Sequence, residues 1–327
     1  MNEDLKKKLD LYISNTVKAK SELKWQSAFN LSLISFLYTS EDREIDSDAV
    51  INAQKYIRDN TGIFSLFRGV LSVSFASLLS LADNIDDKFI DTSNICNMMK
   101  ERGFISSEYL LFAAYQIAAY AEMADYLRTV EKSRTFYLEM KKKRRFITGS
   151  DDYIFSAMFA LSGKDIDSSV QQMEDLYVRL KSEFQSKNDI QALTQILVLG
   201  GADDSAVRRI LSLRDAFRDR KLRIDRASVL PLLGVLALLP GDADSVAEET
   251  ASVYEQLRAE KYLKWNLPKS HILNTAAALV SLNDIDEAKR GTAKITEAGI
   301  ANITLTHQMA VIIASISAGS VHGASSV

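Results

Sequence analysis

Few residues in this chain stand where chemistry could be done. Glu108, Asp151 and Asp152 lie in segments that lead into strongly apolar runs. Two acids facing one cleft are what a glycosidase needs, one to protonate the leaving group and one to activate water or attack. Arg68 and His271 occupy equivalent segments and would serve as anion contacts, with Trp25 and Tyr153 as rings for stacking or packing. Each also has a structural reading. Asp151 and Asp152 precede a helix and suit N-caps, Arg68 suits the tethering of a loop, and Trp25 suits partly buried packing. A second set of acids recurs as pairs: Asp46 and Asp48, Asp86 and Asp87, Asp165 and Asp167, Asp203 and Asp204, Asp242 and Asp244, Asp284 and Asp286. Such a row has the chemistry of a calcium or magnesium site, yet carboxylates also cap helix starts and suit the positive end of the dipole. Ser168 with Gln171 and Ser245 with Glu248 have capping-box spacing. Capping is the expected role, and no metal site is expected.

The remaining motif search is negative. Three histidines, His271, His307 and His322, and one cysteine cannot build a Cys/His zinc site. The chain has no phosphate-binding glycine loop, no dinucleotide fingerprint and no nucleophile elbow. Ser21 and Lys24 match S-x-x-K without its companion motifs, and Cys96, beside Ile95, Met98 and Met99, reads as a small core residue. No cofactor is expected. The basic run Lys141 to Arg145 ends a helix, where cations complement the dipole. Arg208, Arg209, Arg214, Arg218, Arg220, Lys221, Arg223 and Arg226 are interleaved with Asp215, Asp219 and Asp225, the pattern of a solvated face rather than a phosphate track.

The elements that must position these residues are helices. The only three prolines are Pro231, Pro240 and Pro268, and no Asn-Gly or Asp-Gly hairpin signal occurs. Short apolar runs end at Leu37, Leu81, Tyr120, Leu161, Leu199, Leu239 and Leu282, with spacings of 38 to 44 residues. A small polar turn follows each run, Asn283-Asp284 being the last. Then comes a longer one-sided helix ending near an aromatic or leucine: Phe104, Phe146, Phe184, Leu222 or Tyr262. The first helix of each pair is apolar all round and must be buried, while the second covers it with one face and meets water with the other. One pair cannot hide its own apolar helix, so neighbours must stack. A repeat of about 41 residues matches HEAT and armadillo units rather than tetratricopeptides.

The expected fold is therefore all-α, about seven two-helix repeats stacked as an α/α superhelix, with a closed α/α toroid as the alternative. The chain is read as one domain over 1–327: a capping helix over 1–20, repeats over 21–290, and a capping helix with tail over 291–327. Stacking puts the polar turns on one edge and the loops carrying Trp25, Arg68, Glu108, Asp151, Asp152, Tyr153 and His271 on the other.

Composition bounds the function. The chain has 327 residues, 47% hydrophobic, with 40 basic and 43 acidic residues and a formal charge of −3. It can bury a core, and as a whole it is not built to coat nucleic acid or anionic membrane. The first twenty residues are charged and lack a signal core, no run reaches membrane-spanning length, and a single cysteine calls for no oxidising compartment. A cytoplasmic protein is expected.

The segments Lys24-Trp25, Thr61-Gly62-Ile63-Phe64 with Phe67-Arg68-Gly69, Gly149-Ser150-Asp151-Asp152-Tyr153, and Asn188 with Gln191-Ala192-Leu193 are similar to a bacterial family of uncharacterised helical proteins, the domain of unknown function DUF4003. The resemblance implies an all-helical fold and assigns no catalytic residue, ligand or partner. With catalytic signatures absent, the reading leans away from an enzyme and towards a scaffold for a protein or peptide, with no nucleic acid and no membrane. A small-ligand binder or carboxylate hydrolase at the loop rim is the alternative, and nucleic-acid binding through the basic helices is a further one.

Overall fold

The computed structural model of the chain describes residues 1–63, 65–69, 71–225 and 229–289. Among the described residues the regular structure is entirely helical. In chain order the helices are α1 (Glu3–Glu22), α2 (Ala28–Ser40), α3 (Ser47–Asp59), α4 (Ser72–Ser80), α5 (Ile85–Glu101), α6 (Glu108–Tyr120), α7 (Tyr126–Lys143) and α8 (Asp152–Leu161). There follow α9 (Ile166–Leu180), α10 (Lys187–Leu199), α11 (Ala206–Asp219), α12 (Leu230–Leu238), α13 (Ala243–Ala259), α14 (Lys261–Asn266) and α15 (Lys269–Lys289).

The seven apolar runs are α2, α4, α6, α8, α10, α12 and α15. The first six end within three residues of the leucine or tyrosine that marks them in the sequence. The seventh does not: α15 runs through Asn283 and Asp284, where a turn is expected, to Lys289. Asn283 is buried there, and a helix broken at that point would expose its apolar neighbours. The expected capping helix and tail over 291–327 lie outside the described residues.

Burial follows the pattern of each helix. Every residue of α10 from Ile190 to Leu199 is buried. In α13 the buried residues are Val246, Ala247, Thr250, Val253, Tyr254 and Leu257, one face at helical spacing. Several hydroxyls inside the buried helices are satisfied locally, as Ser35 donates to Leu31 O at 2.7 Å and Ser77 to Val73 O at 2.9 Å, while Ser74 Oγ is buried without a partner. Serines are thus no obstacle to burial.

The described chain divides into two compact units. The first comprises residues 17–26 and 30–170. Within it α3 packs on α4, α5 on α6, α7 on α8, α6 on α8 and α5 on α7. Tyr38 Oη meets Ser80 Oγ at 2.7 Å, joining the C-terminal ends of α2 and α4. Tyr115 Oη donates to Leu78 O at 3.4 Å, joining the later turns of α6 and α4. Both contacts lie in the C-terminal halves of these helices, which leaves the loops that enter them at the other side, on one edge.

The second unit comprises residues 1–16, 27–29 and the described residues from Gln171 onward. In it α11 packs on α12, α13 on α15, α10 on α12 and α12 on α15. Gly234 sets the α10–α12 approach, since a Cβ there would lie 2.7 Å from Leu193 Cδ1. The start of α1 is fixed in this unit by ion pairs, Lys8 Nζ to Asp286 at 2.8 Å and the N-terminal amine to Glu249 at 3.8 Å. Among the described residues no helix is long and apolar enough to cross a membrane.

Candidate functional site

The loops entering α4, α6 and α8 carry most of the residues singled out in the sequence, and Arg68, Glu108, Asp152 and Tyr153 there each bond a backbone group. Arg68 Nε donates to Thr61 Oγ1 at 3.0 Å, and its Nη2 donates to the carbonyls of Arg58 and Thr61. It tethers the loop that follows α3. Glu108 Oε1 accepts from Leu71 N at 3.2 Å, the residue just before α4, and so caps the helix of a neighbouring repeat. Asp152 is buried, and its Oδ2 accepts from Gly149 N at 2.9 Å.

That bond corrects the capping expectation for Asp151 and Asp152. Asp151 precedes α8 with helical backbone angles and no side-chain cap, and Asp152 turns back to close the preceding turn. Glu108 and Asp152 are committed to different backbone amides, an arrangement unlike two acids aimed at one open cleft. Elsewhere capping is as expected in kind but shifted in position. Asp165 and Asp242 accept from the amides of Ser168 and Ser245 at 3.0 and 2.9 Å, so the aspartates are the caps and the serines sit a turn inside. Asp46 caps α3 in the same way. No group of three or more His, Cys, Asp or Glu among the described residues could hold a metal ion.

Tyr153 belongs to a packed aromatic group. Its ring meets Phe104 at 4.8 Å and Tyr137 at 4.9 Å, both edge-on, and its Oη accepts from Ile105 N at 3.2 Å. Arg134 lies over Phe104 and Tyr137 at 5.3 and 5.5 Å. Burial pushes the Tyr153 hydroxyl up from its ordinary pKa, so it is neutral at pH 7. Gly103 makes the group possible. Its φ of +82° ends α5 in a left-handed turn, with Gly103 N bonded to Lys100 O and Phe104 N to Met99 O, which folds Phe104 back into the core. Tyr153→Phe leaves the Ile105 N–H without its acceptor. The expected result is a loss of about 1 kcal/mol in denaturant unfolding, with faster hydrogen exchange at the Ile105 amide.

Trp25 and His271 stand apart from this group. Trp25 is exposed. His271 lies in the first turn of α15 in the second unit, buried edge-on against Phe29 at 5.0 Å. Burial holds its pKa down at about 4, so it is neutral at pH 7 and carries no charge for an anion. Cys96 is buried, and burial pushes its thiol up to about 12, far from a thiolate nucleophile.

The arginines around α11 are engaged too. Arg209 donates to Ala237 O, Gly241 O and Leu239 O at 2.9, 2.7 and 2.7 Å. Arg214 meets Glu183 at 2.7 Å, Arg218 meets Asp225 at 2.6 Å, and Arg220 meets Glu248 at 2.9 Å. Arg226 lies outside the described residues.

What the sequence leaves unmarked is apolar. At the loop edge of the first unit, Phe146 is 96% exposed, Ile63 73%, Ile105 72% and Trp25 63%. Phe146 rides on an ordered turn, with Ile147 N and Thr148 N both bonded to Arg144 O. Its loop adjoins the next through the Tyr153–Ile105 bond, and that loop adjoins a third through Glu108 and Leu71.

Relatives place the chain. It is 26% identical over 208 residues to the "Uncharacterized protein YeaA" of Bacillus subtilis (strain 168), a match that takes in 61% of this chain and 62% of that protein. The chain thus spans less than two thirds of the length of that relative. No solved structure matches. A family model described as "Protein of unknown function (DUF4003)" matches residues 15–318, nearly the whole sequence, and the chain belongs to that family.

Proposed function

We propose that this protein is a non-enzymatic binding scaffold that works by docking rather than by chemistry, with the loop edge of its first unit as the docking surface. The observation that carries the reading is a division of labour at that edge. The side chains with chemical potential, Arg68, Glu108, Asp152 and Tyr153, hold loops in place, while large apolar residues at the loop tips face solvent. An active site would show the reverse. Stacked helical repeats commonly serve as extended binding surfaces for proteins and peptides, and exposed apolar residues grouped on one side mark interaction sites. A cytoplasmic setting fits, since the one cysteine is buried and no disulfide is needed.

The test is site-specific photocrosslinking in cells. A photoreactive phenylalanine analogue is placed at Phe146 and, in a second variant, at Met123, an exposed residue on the opposite edge. Adducts at position 146 and none at 123 are expected. Equal yields at both positions would overturn the reading.

A further inference from the structure

We infer that the loop edge of the first unit seats on an anionic lipid bilayer surface, an inference that rests on that edge being the docking surface. Four observations lead there. The contacts between the C-terminal halves of α2, α4 and α6, with the α6–α8 packing and the Ile105–Tyr153 bond, bring Trp25, Ile63, Ile105 and Phe146 to a single edge. Packed neighbouring helices lie about 8–10 Å apart, so the tips form a row rather than a cluster. The tips stand well out in solvent: at 96% exposure Phe146 touches almost nothing, whereas a residue in the wall of a peptide groove is covered on one side by its neighbours. A fluid bilayer conforms to separate tips, and a folded partner would have to match each of them.

Charge points the same way. Lys142, Lys143 and Arg145 are exposed beside Phe146, and Lys24 and Lys100 are exposed at the neighbouring loops. Lys142 pairs with Glu139, and Arg102 pairs with Glu131 and Glu101, while Lys143 and Arg145 make no ion pair among the described residues. Exposed acids are present at the edge as well, Glu22, Asp59 and Glu101, and they are spread over other loops rather than set beside Phe146. Apolar tips bracketed by Lys and Arg are the composition that enters the headgroup region of anionic membranes. The charge of −3 over the whole chain does not oppose this, because screening confines the attraction to charges within a Debye length of the surface. Seating a loop edge requires no spanning helix.

The experiment is co-flotation of the full chain with phosphatidylcholine vesicles and with vesicles that also contain phosphatidylglycerol. Binding to the anionic vesicles alone, weakening as salt is raised, is expected. Phe146→Ser should weaken it about tenfold, and the double change Lys143→Gln with Arg145→Gln roughly thirtyfold, at about fivefold per cation. Met123→Ser on the opposite edge should leave it unchanged. All of these residues are exposed, and thermal unfolding of each variant checks that it folds. Equal binding to neutral vesicles, binding indifferent to Phe146, or no binding would overturn the inference. Photocrosslinking at position 146 then separates the two readings. Adducts to a protein would mean that the edge docks and lipid is not its occupant, and an absence of adducts would remove both.

Discussion

Arg209→Ala is expected to lower the unfolding free energy by about 3 kcal/mol, the largest loss from any single side chain on the surface of α11. Arg209 closes the C-terminal end of α12. Its guanidinium donates to Ala237 O, Leu239 O and Gly241 O, carbonyls with no helical partner because the chain turns away at Pro240. The charge also complements the negative end of the helix dipole. Two of the three bonds are partly shielded from water and the third is exposed. Hydrogen bonds to a charged group contribute about 1.5–3 kcal/mol each. Water replaces the exposed one cheaply, so the loss is set by the other two. Burial lowers the pKa of Arg209, yet a guanidinium stays charged at any pH where the protein folds. Urea unfolding with an unchanged slope and a lower midpoint is the check. Arg209→Lys should recover only part of the loss, because an ammonium cannot reach three carbonyls in a fork. A loss below about 1 kcal/mol would show that water caps this end as well as the arginine does.

Acid is expected to destabilise the second unit as pH falls from 6.5 towards 4. His271 is neutral in the fold, its pKa held at about 4 by burial, against 6.5 when unfolded. Between those values the unfolded chain binds a proton that the folded chain does not. Stability is therefore fully present above pH 6.5 and is lost as pH falls towards 4. The slope is about 1.4 kcal/mol per pH unit, or roughly 3 kcal/mol across the window. The carboxyls of Asp165 and Asp242 are held below their ordinary value by hydrogen bonds from Ser168 and Ser245, and that of Asp203 by those from Ser205. Their contributions disappear only at lower pH, so the interval from pH 6.5 to 4 reports chiefly on His271. Urea midpoints measured across that interval should fall for the natural chain and stay nearly level for His271→Leu. Equal slopes in the two proteins would place the imidazole in contact with water.

The helical pairs were legible because their signal repeats. Each apolar run is long enough to carry helical periodicity, and α6, α8 and α10 end on the marked residue itself. The candidate edge was only half legible, and Phe104 and Phe146 show why. Each stands two residues beyond the cap that ends its helix, Arg102 for α5 and Arg144 for α7, and the sequence reads both alike, as marks of a helix end. After Arg102 comes Gly103, which adopts a left-handed turn and sends Phe104 inward. Lys221 does the same at φ +59°, and Leu222 is buried after it. Arg145 follows Arg144 without positive φ, no reversal forms, and Phe146 stays outside. The signal was a missing glycine at one position, too small to register in a periodicity. The roles of Glu108 and Asp152 were hidden for another reason. Their partners, the amides of Leu71 and Gly149, are backbone groups, and no residue type announces them.

The ion pair between Lys8 and Asp286 also sets an order of events during synthesis. Its partners are 278 residues apart in the chain, so the ribosome must add all of the residues between them before they can meet. At about 5–20 residues per second, the start of α1 waits roughly fifteen seconds to a minute. During that time the residues of the first unit have been made, and Leu5, Leu9 and Tyr12, buried in the finished second unit, lack the neighbours that will cover them. A segment made early is thus among the last to reach its place, and a chain arrested before residue 286 keeps that apolar stripe open to chaperones or to other chains.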